Sequence, residues 1–187
     1  SAVHIGLNPE VPHMKISPSI DTDVFSAKKI KNLHKPLRIL SVGRLNWVKG
    51  YGYLLDALSL LKKKKLNFKC RIIGDGNLKE ELKYSIHQLD LVNNVELVGN
   101  LDPSRVKAEM ECGDIYIQSS VKEGFCNSLL EAQAMGLLCI ATNIGGIPEN
   151  ILNNKTGWLV EARQAEVISN KIIELTVHDI NGIMYYI

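Results

Sequence analysis

The sequence has no apolar run long enough to cross a bilayer. Its longest clean stretch, Leu137 to Ala141, falls far short of a spanning helix. Nor does one sign of charge dominate. Lysine and arginine number 22 against 20 acidic residues, a formal net charge of +2. A surface so nearly balanced lacks the basic footprint of a general nucleic-acid binder. The four cysteines, Cys70, Cys112, Cys126 and Cys139, show no Cys-x-x-Cys spacing. The five histidines, His4, His13, His34, His87 and His178, lack a paired spacing as well. A structural zinc site is therefore unsupported. Cys70 and Cys139 lie in apolar runs where a thiol acts as a small hydrophobe, and a reduced, cytoplasmic protein is expected. No charged segment followed by an apolar one opens the sequence, so no secretory signal is expected. What is present is a globular composition: 187 residues, 45% hydrophobic and 22% charged. That excludes disorder and suits one domain, or one domain plus a fragment of another. A chain of this length buries roughly 70% of its unfolded surface and needs no disulfide or metal staple.

From about Arg38 onward, short apolar runs alternate with segments of helical period. The runs are Arg38 to Val42, Phe68 to Ile73, Val95 to Val98, Asp114 to Gln118, Leu137 to Ala141 and a weaker one at Gly157 to Val160. Between them, Leu54, Ala57, Leu58 and Leu61 form one stripe within Tyr53 to Lys64, and Leu78, Leu82, Ile86 and Leu89 form another. Further helices are expected after Asp102, with Pro103 at a first helical position, after Asn127, after Pro148 and over Ala165 to Val177. The run of lysines from Lys62 to Lys65 reads as an exposed helix end, where the helix dipole favours cations. Strand and helix in alternation with short turns predict an α/β fold: a Rossmann-like, doubly wound parallel sheet of about six strands with helices on both faces. Residues 1–35, rich in proline, and the apolar terminus Ile183 to Ile187 fall outside that repeat, which predicts an excised domain whose neighbour is missing.

In such sheets ligands lie beyond the carboxyl ends of the strands, where the strand order reverses. After the first strand comes Gly43-Arg44, then Lys49-Gly50. The glycine spacing fits neither a dinucleotide fingerprint nor a Walker loop. Arg44 and Lys49 beside a helix start suit a diphosphate, although two ordinary surface cations would look the same. Gly74-Asp75-Gly76 is a tight turn that turn chemistry alone explains, and Val98 to Leu101 is a weak candidate for framing a flat ring. The most informative segment runs from Ser119 to Gly136. It places Glu123 in a loop and Glu131 in the first turns of the next helix, at two depths along one ligand. Ser128 to Glu131 also fits a capping box, which accounts for half of the pattern and leaves Glu123-Gly124-Phe125 unexplained.

With these residues assembled, the chain resembles the family 4 glycosyltransferases, retaining enzymes of the GT-B fold. The resemblance runs from about Ile16 to Val177. It rests on Asp21 to Phe25, the Gly43-Arg44 and Lys49-Gly50 turn, Gly74 to Gly76, the Glu123 to Gly136 segment and Ala141 to Glu149. It implies that this is the C-terminal, donor-binding half of the enzyme. Arg44 and Lys49 would clamp the diphosphate and, with Glu123, carry the catalytic roles. Glu131 would accept hydrogen bonds from the ribose. Glu123 with Gly124, Phe125, Cys126 and Asn127 would hold the donor sugar. Ser128 and Leu129 would add donors to the phosphates, Gly99 to Leu101 would frame the base, and Gly43, Gly74 and Gly76 would let the ligand approach. Two departures stand out: Cys126 and Leu138 occupy positions where the family often has proline. The thiol is expected to pack rather than to act as a nucleophile.

The resemblance further implies a linker and remnant of an acceptor-binding domain at 1–35, a donor-binding domain at 36–178 and a truncated segment at 179–187. It implies transfer of a hexosyl group from a UDP- or GDP-sugar to a glycan or lipid-linked acceptor, in cell-surface polysaccharide synthesis, with no metal or other cofactor. A cytoplasmic location, peripheral to the membrane through the absent domain, goes with it. Asp21-Thr22-Asp23 is a D-x-D, the metal pattern of the other glycosyltransferase fold. Its place ahead of the first strand predicts a turn instead. A nucleotide-sugar epimerase on the same fold and a non-catalytic nucleotide-binding module are the alternatives. The chain alone is expected to bind donor and transfer little.

Overall fold

The computed structural model describes residues 19–26 and 33–177. The expectations for most of 1–35, for 179–187 and for His4, His13 and His178 lie outside the described residues. Six strands follow the apolar runs: β1 (Leu37–Val42), β2 (Phe68–Ile73), β3 (Val95–Gly99), β4 (Ile115–Gln118), β5 (Leu138–Thr142) and β6 (Trp158–Val160). Five helices separate or follow them: α1 (Tyr51–Lys63), α2 (Lys79–Gln88), α3 (Pro103–Cys112), α4 (Asn127–Ala134) and α5 (Ala165–Val177). The strands pair in parallel in the order β3-β2-β1-β4-β5-β6. The order reverses between β1 and β4, the expected switch point.

The period of each strand divides the core in two. Leu37, Ile39, Phe68, Cys70, Ile72, Ile115, Ile117 and Ile140 point to one face, where α1, α2 and α5 bury Leu54, Leu58, Leu82, Ile86, Ile168 and Ile172. Leu40, Ile73, Tyr116, Cys139 and Ala141 point to the other, under Met110 of α3 and Leu129 and Ala132 of α4. Cys70 sits fully inside, and burial pushes its thiol up to about 12, as a packing residue requires.

Local signals set the helix ends. The Asp102 side chain accepts from the Arg105 N–H at 3.0 Å, with Pro103 opening α3. The short helix expected after Pro148 is a 3-10 turn, Ile147–Glu149, that contains the proline. The lysine run does more than close α1: Lys62 reaches Asp90 at 2.7 Å, and Lys64 reaches Asn170 of α5 at 2.9 Å. At the amino edge, the buried Asp114 carboxylate accepts from the backbone of His34 and Arg38 and from the His34 ring, at 2.6 to 3.2 Å. That side chain fixes where the chain joins the sheet. Among the described residues no helix is long and apolar enough to cross a membrane.

Candidate nucleotide-sugar site

The carboxyl ends of β1 and β4 are neighbours, so the loops that follow them lie side by side. The Val48 carbonyl accepts from the N–H of Val121 at 2.8 Å and of Lys122 at 3.3 Å, and Ser119 Oγ donates to the Lys49 carbonyl at 3.0 Å. Gly50 makes this approach possible. Its φ is 65°, and a Cβ there would stand 2.1 Å from the Ser119 carbonyl oxygen. The docked loops bring Lys49 Nζ to 2.5 Å from Glu123 Oε2, each side chain 15% exposed. Two residues that lie 74 apart in sequence thus form one ion pair at the mouth of the sheet. Arg44, in the same loop as Lys49, is exposed and carries no ion pair among the described residues.

The neighbouring loops are stacked in the same way. A Cβ on Gly74 would lie 2.0 Å from the Gly43 carbonyl oxygen, and one on Gly76 would lie 2.3 Å from that of Leu45. Their smallness serves contact between loops, and Gly74 also donates to the Gly99 carbonyl at 2.9 Å. On the far side, Gly145 and Gly146 press against the loop of Glu123. Cβ atoms there would come within 1.9 Å of the Glu123 oxygen and 2.1 Å of the Gly124 oxygen. Asn150, buried, donates from Nδ2 to the Cys126 carbonyl at 3.0 Å. These three supports were within reach of the sequence as Gly-Gly and a nearby Asn, but nothing local assigned them a partner.

The capping box between Ser128 and Glu131 does not form. Cys126 is the N-cap of α4 and no side chain caps the helix. Ser128 instead turns its Oγ into the sheet, 2.8 Å from the Tyr116 hydroxyl and 3.3 Å from the Val42 carbonyl. The first turn of α4 is left uncapped at the mouth. Leu129 has its side chain in the core, and its N–H bonds the Cys126 carbonyl at 3.2 Å. Cys126 itself is 3% exposed with Sγ 3.4 Å from Ser128 Oγ, and burial raises its thiol above the ordinary value. A protonated thiol is a packing group and not a nucleophile. Glu131 is half-buried on α4, and desolvation raises its carboxyl above the ordinary range. Phe125 is half-buried, while Gly124 and Asn127 are exposed. Leu101 is partly buried against the core cluster that holds Cys126 and Leu129.

Three buried polar side chains lie beneath the Glu123 loop, two of them, Tyr116 and Gln118, in the run that reads as apolar strand. The Tyr116 hydroxyl donates to Gln118 Oε1 at 2.9 Å, and Gln118 Nε2 donates to Ser120 Oγ at 2.7 Å. Ser120 Oγ donates to Glu123 Oε2 at 3.1 Å. The D-x-D makes a turn, Asp21 Oδ1 accepting from the N–H of Asp23 at 2.9 Å and of Val24 at 3.3 Å. A groove of about 640 Å³ lies elsewhere, at the amino ends of β1 to β3. Its cations are already engaged, with Arg71 held by Glu96 and Glu109 at 2.5 and 2.9 Å.

Residues 23–179 match the family Glycosyl transferases group 1. The amylovoran biosynthesis glycosyltransferase AmsK of Erwinia amylovora is 36% identical over 163 residues, which is 84% of this chain and 40% of that protein. The chain thus spans less than half the length of this relative. Among solved structures, the C-terminal domain of the group 1 family glycosyl transferase LpcC from Francisella tularensis superposes with a TM-score of 0.75. The two are 27% identical, over 86% of this chain and 89% of that one. Anabaena HepE in complex with UDP-glucose gives a TM-score of 0.81 at 20% identity, over 97% of this chain and 52% of that one. At that identity it is a likeness of fold.

Proposed function

The chain belongs to the group 1 glycosyl transferases, and on that premise we propose that it is the donor-binding domain of a retaining, family 4 enzyme. The donor is a UDP- or GDP-sugar, and the hexosyl group goes to a glycan or lipid-linked acceptor held by a second domain. The observation that carries this reading is the meeting of Lys49 and Glu123 across the switch point, with Arg44 exposed in the same loop as Lys49 and the start of α4 uncapped. A departing nucleoside diphosphate gains negative charge, and fixed cations with helix N–H groups stabilise it without reorganising. Arg44, Lys49 and α4 supply that charge without a metal. Glu131 lies further along α4, placed to accept from the ribose, and Glu123 with the Gly124 to Asn127 backbone faces the sugar. The fold shared with HepE, which binds UDP-glucose, agrees with this, as does the polysaccharide pathway of AmsK.

Titrating the chain with UDP, GDP and ADP, with and without magnesium, tests the reading. Trp47, 63% exposed in the turn that carries Lys49, provides the fluorescence signal. Binding of UDP or GDP without magnesium is expected. Arg44→Ala and Lys49→Ala should each cost about 1–3 kcal/mol of that affinity, as for a lost charge-assisted hydrogen bond. Unchanged affinity in both variants would remove them from the site. Failure of all three nucleotides to bind would favour a degenerate module.

A further inference from the structure

Beneath the Glu123 loop, the buried polar side chains have no part in the reading above. We infer that Gln118 is a positioning residue for Glu123, ordering a one-way chain of hydrogen bonds that aims the carboxylate at the donor sugar. The inference rests on the donor-site reading and adds to it.

Gln118 is 2% exposed at the end of β4, and Tyr116 and Ser120 beside it are fully buried. Its amide can face only one way. Glu123 Oε2 lies 3.4 Å from Nε2, and an amide oxygen turned toward a carboxylate would repel it. With the nitrogen facing Glu123, Oε1 must accept, and the Tyr116 hydroxyl is the donor at 2.9 Å. That uses the one hydrogen Tyr116 has, so toward Ser128 Oγ, 2.8 Å away, its oxygen can only accept; the Val42 carbonyl, 3.3 Å from both hydroxyls, is the other acceptor there. On the other side Nε2 donates to Ser120 Oγ, and the single hydrogen of Ser120 is free to go to Glu123 Oε2. From Tyr116 onward the direction is set, Tyr116 to Gln118 to Ser120 to Glu123, with the Ser128 hydroxyl at its start. Only an acceptor can end it.

Two consequences follow for the site. Oε2 receives Ser120, Gln118 and Lys49 together, and none of these bonds uses Oε1, the oxygen left to accept from a sugar hydroxyl. The chain also ties Ser128, on α4, to Glu123, so both ends of the loop around the sugar are set by one buried amide. An apolar side chain of similar size at 118 would leave Tyr116 and Ser120 without their partner and let Glu123 turn.

The test compares affinities for sugar donors with those for the bare nucleotides: UDP-glucose, UDP-N-acetylglucosamine and GDP-mannose against UDP and GDP. Gln118→Met should lose about tenfold affinity for whichever sugar donor the wild-type chain binds, with the parent nucleotide changed about twofold or less. Gln118→His should recover most of the loss, since a neutral imidazole also accepts at one nitrogen and donates at the other. Ser120→Ala, which breaks only the last link, should show the same split and serves if Gln118→Met does not fold. A ratio of donor to nucleotide affinity that stays at the wild-type value in a folded Gln118→Met or Ser120→Ala chain overturns the inference alone. A wild-type chain that binds neither nucleotides nor sugar donors overturns the donor-site reading, and this inference with it.

Discussion

At the scale of single residues, the site holds its own counter-ion. Lys49 is paired with Glu123, so a diphosphate bound as proposed would compete for it with a carboxylate. Glu123→Gln should release the ammonium. The expected outcome is tighter binding of UDP or GDP by a few-fold, on the order of what one partly screened charge contributes, together with weaker discrimination in favour of sugar donors. Paired titrations of nucleotide and donor check both. Glu131 makes a second prediction, because burial raises its carboxyl. As pH falls it takes up a proton above the ordinary glutamate range, and in the ribose-binding role proposed for it, it would then cease to be a pure acceptor. Nucleotide affinity should therefore decline on the acid side earlier than for an exposed glutamate, and Glu131→Gln should remove that limb of the profile. The stability linkage has the opposite sign. A carboxyl raised in the folded state favours folding below its unfolded pKa, and that contribution is lost as pH rises through the folded value. Acidification thus weakens the ligand interaction while easing the strain of burying the charge.

At the scale of elements, the mouth is a row of loops resting on one another, and its glycines are where they touch. Gly145→Ala should be costly, since its φ of 52° and the 1.9 Å approach to the Glu123 carbonyl both exclude a Cβ. The backbone conformation alone accounts for about 1–2 kcal/mol. Gly52→Ala in α1, with nothing within 4 Å, should be neutral or stabilise by up to about 1 kcal/mol. Thermal melts of the two variants check the contrast. The elements themselves were legible in the sequence. Every strand followed an apolar run, α1 and α2 followed a 3.6-residue stripe and α3 its cap and opening proline, because these signals are local, whereas α4 formed without the cap its sequence suggested. The ordering of Arg44, Lys49, Glu123 and Glu131 after strands was legible for the same reason. What lay beneath the site was not. Tyr116 and Gln118 sit in a run that reads as apolar strand, and their polar ends acquire meaning only once Ser128 and Glu123 come back over them. Ser128 was read as half of a capping box because Glu131 stood three residues on. The sheet offered it Tyr116 and Val42, partners that no local rule can see.

At the scale of the whole molecule, the site and the point where the chain joins the sheet lie at opposite ends of the strands. Asp114 gathers His34 and Arg38 at the amino edge, while Lys49 and Glu123 meet beyond the carboxyl edge. Asp114→Asn should loosen the start of β1 and lower the melting temperature while leaving nucleotide affinity within about twofold, given the separation of the two ends. The resemblance to a two-domain family underlies a separate expectation, that this chain binds a donor and transfers little of it without an acceptor-binding domain. Donor turnover assayed with and without the rest of a longer protein would decide that.

The stacked loops also bear on how such a pocket could be retuned. Where backbone rests on backbone at five successive strand ends, lengthening any one connection would lift its neighbours. In the proposed site, a change of sugar preference is therefore most accessible through the side chains of Phe125 and Asn127, which are not fully buried, with the path of the main chain left as it is.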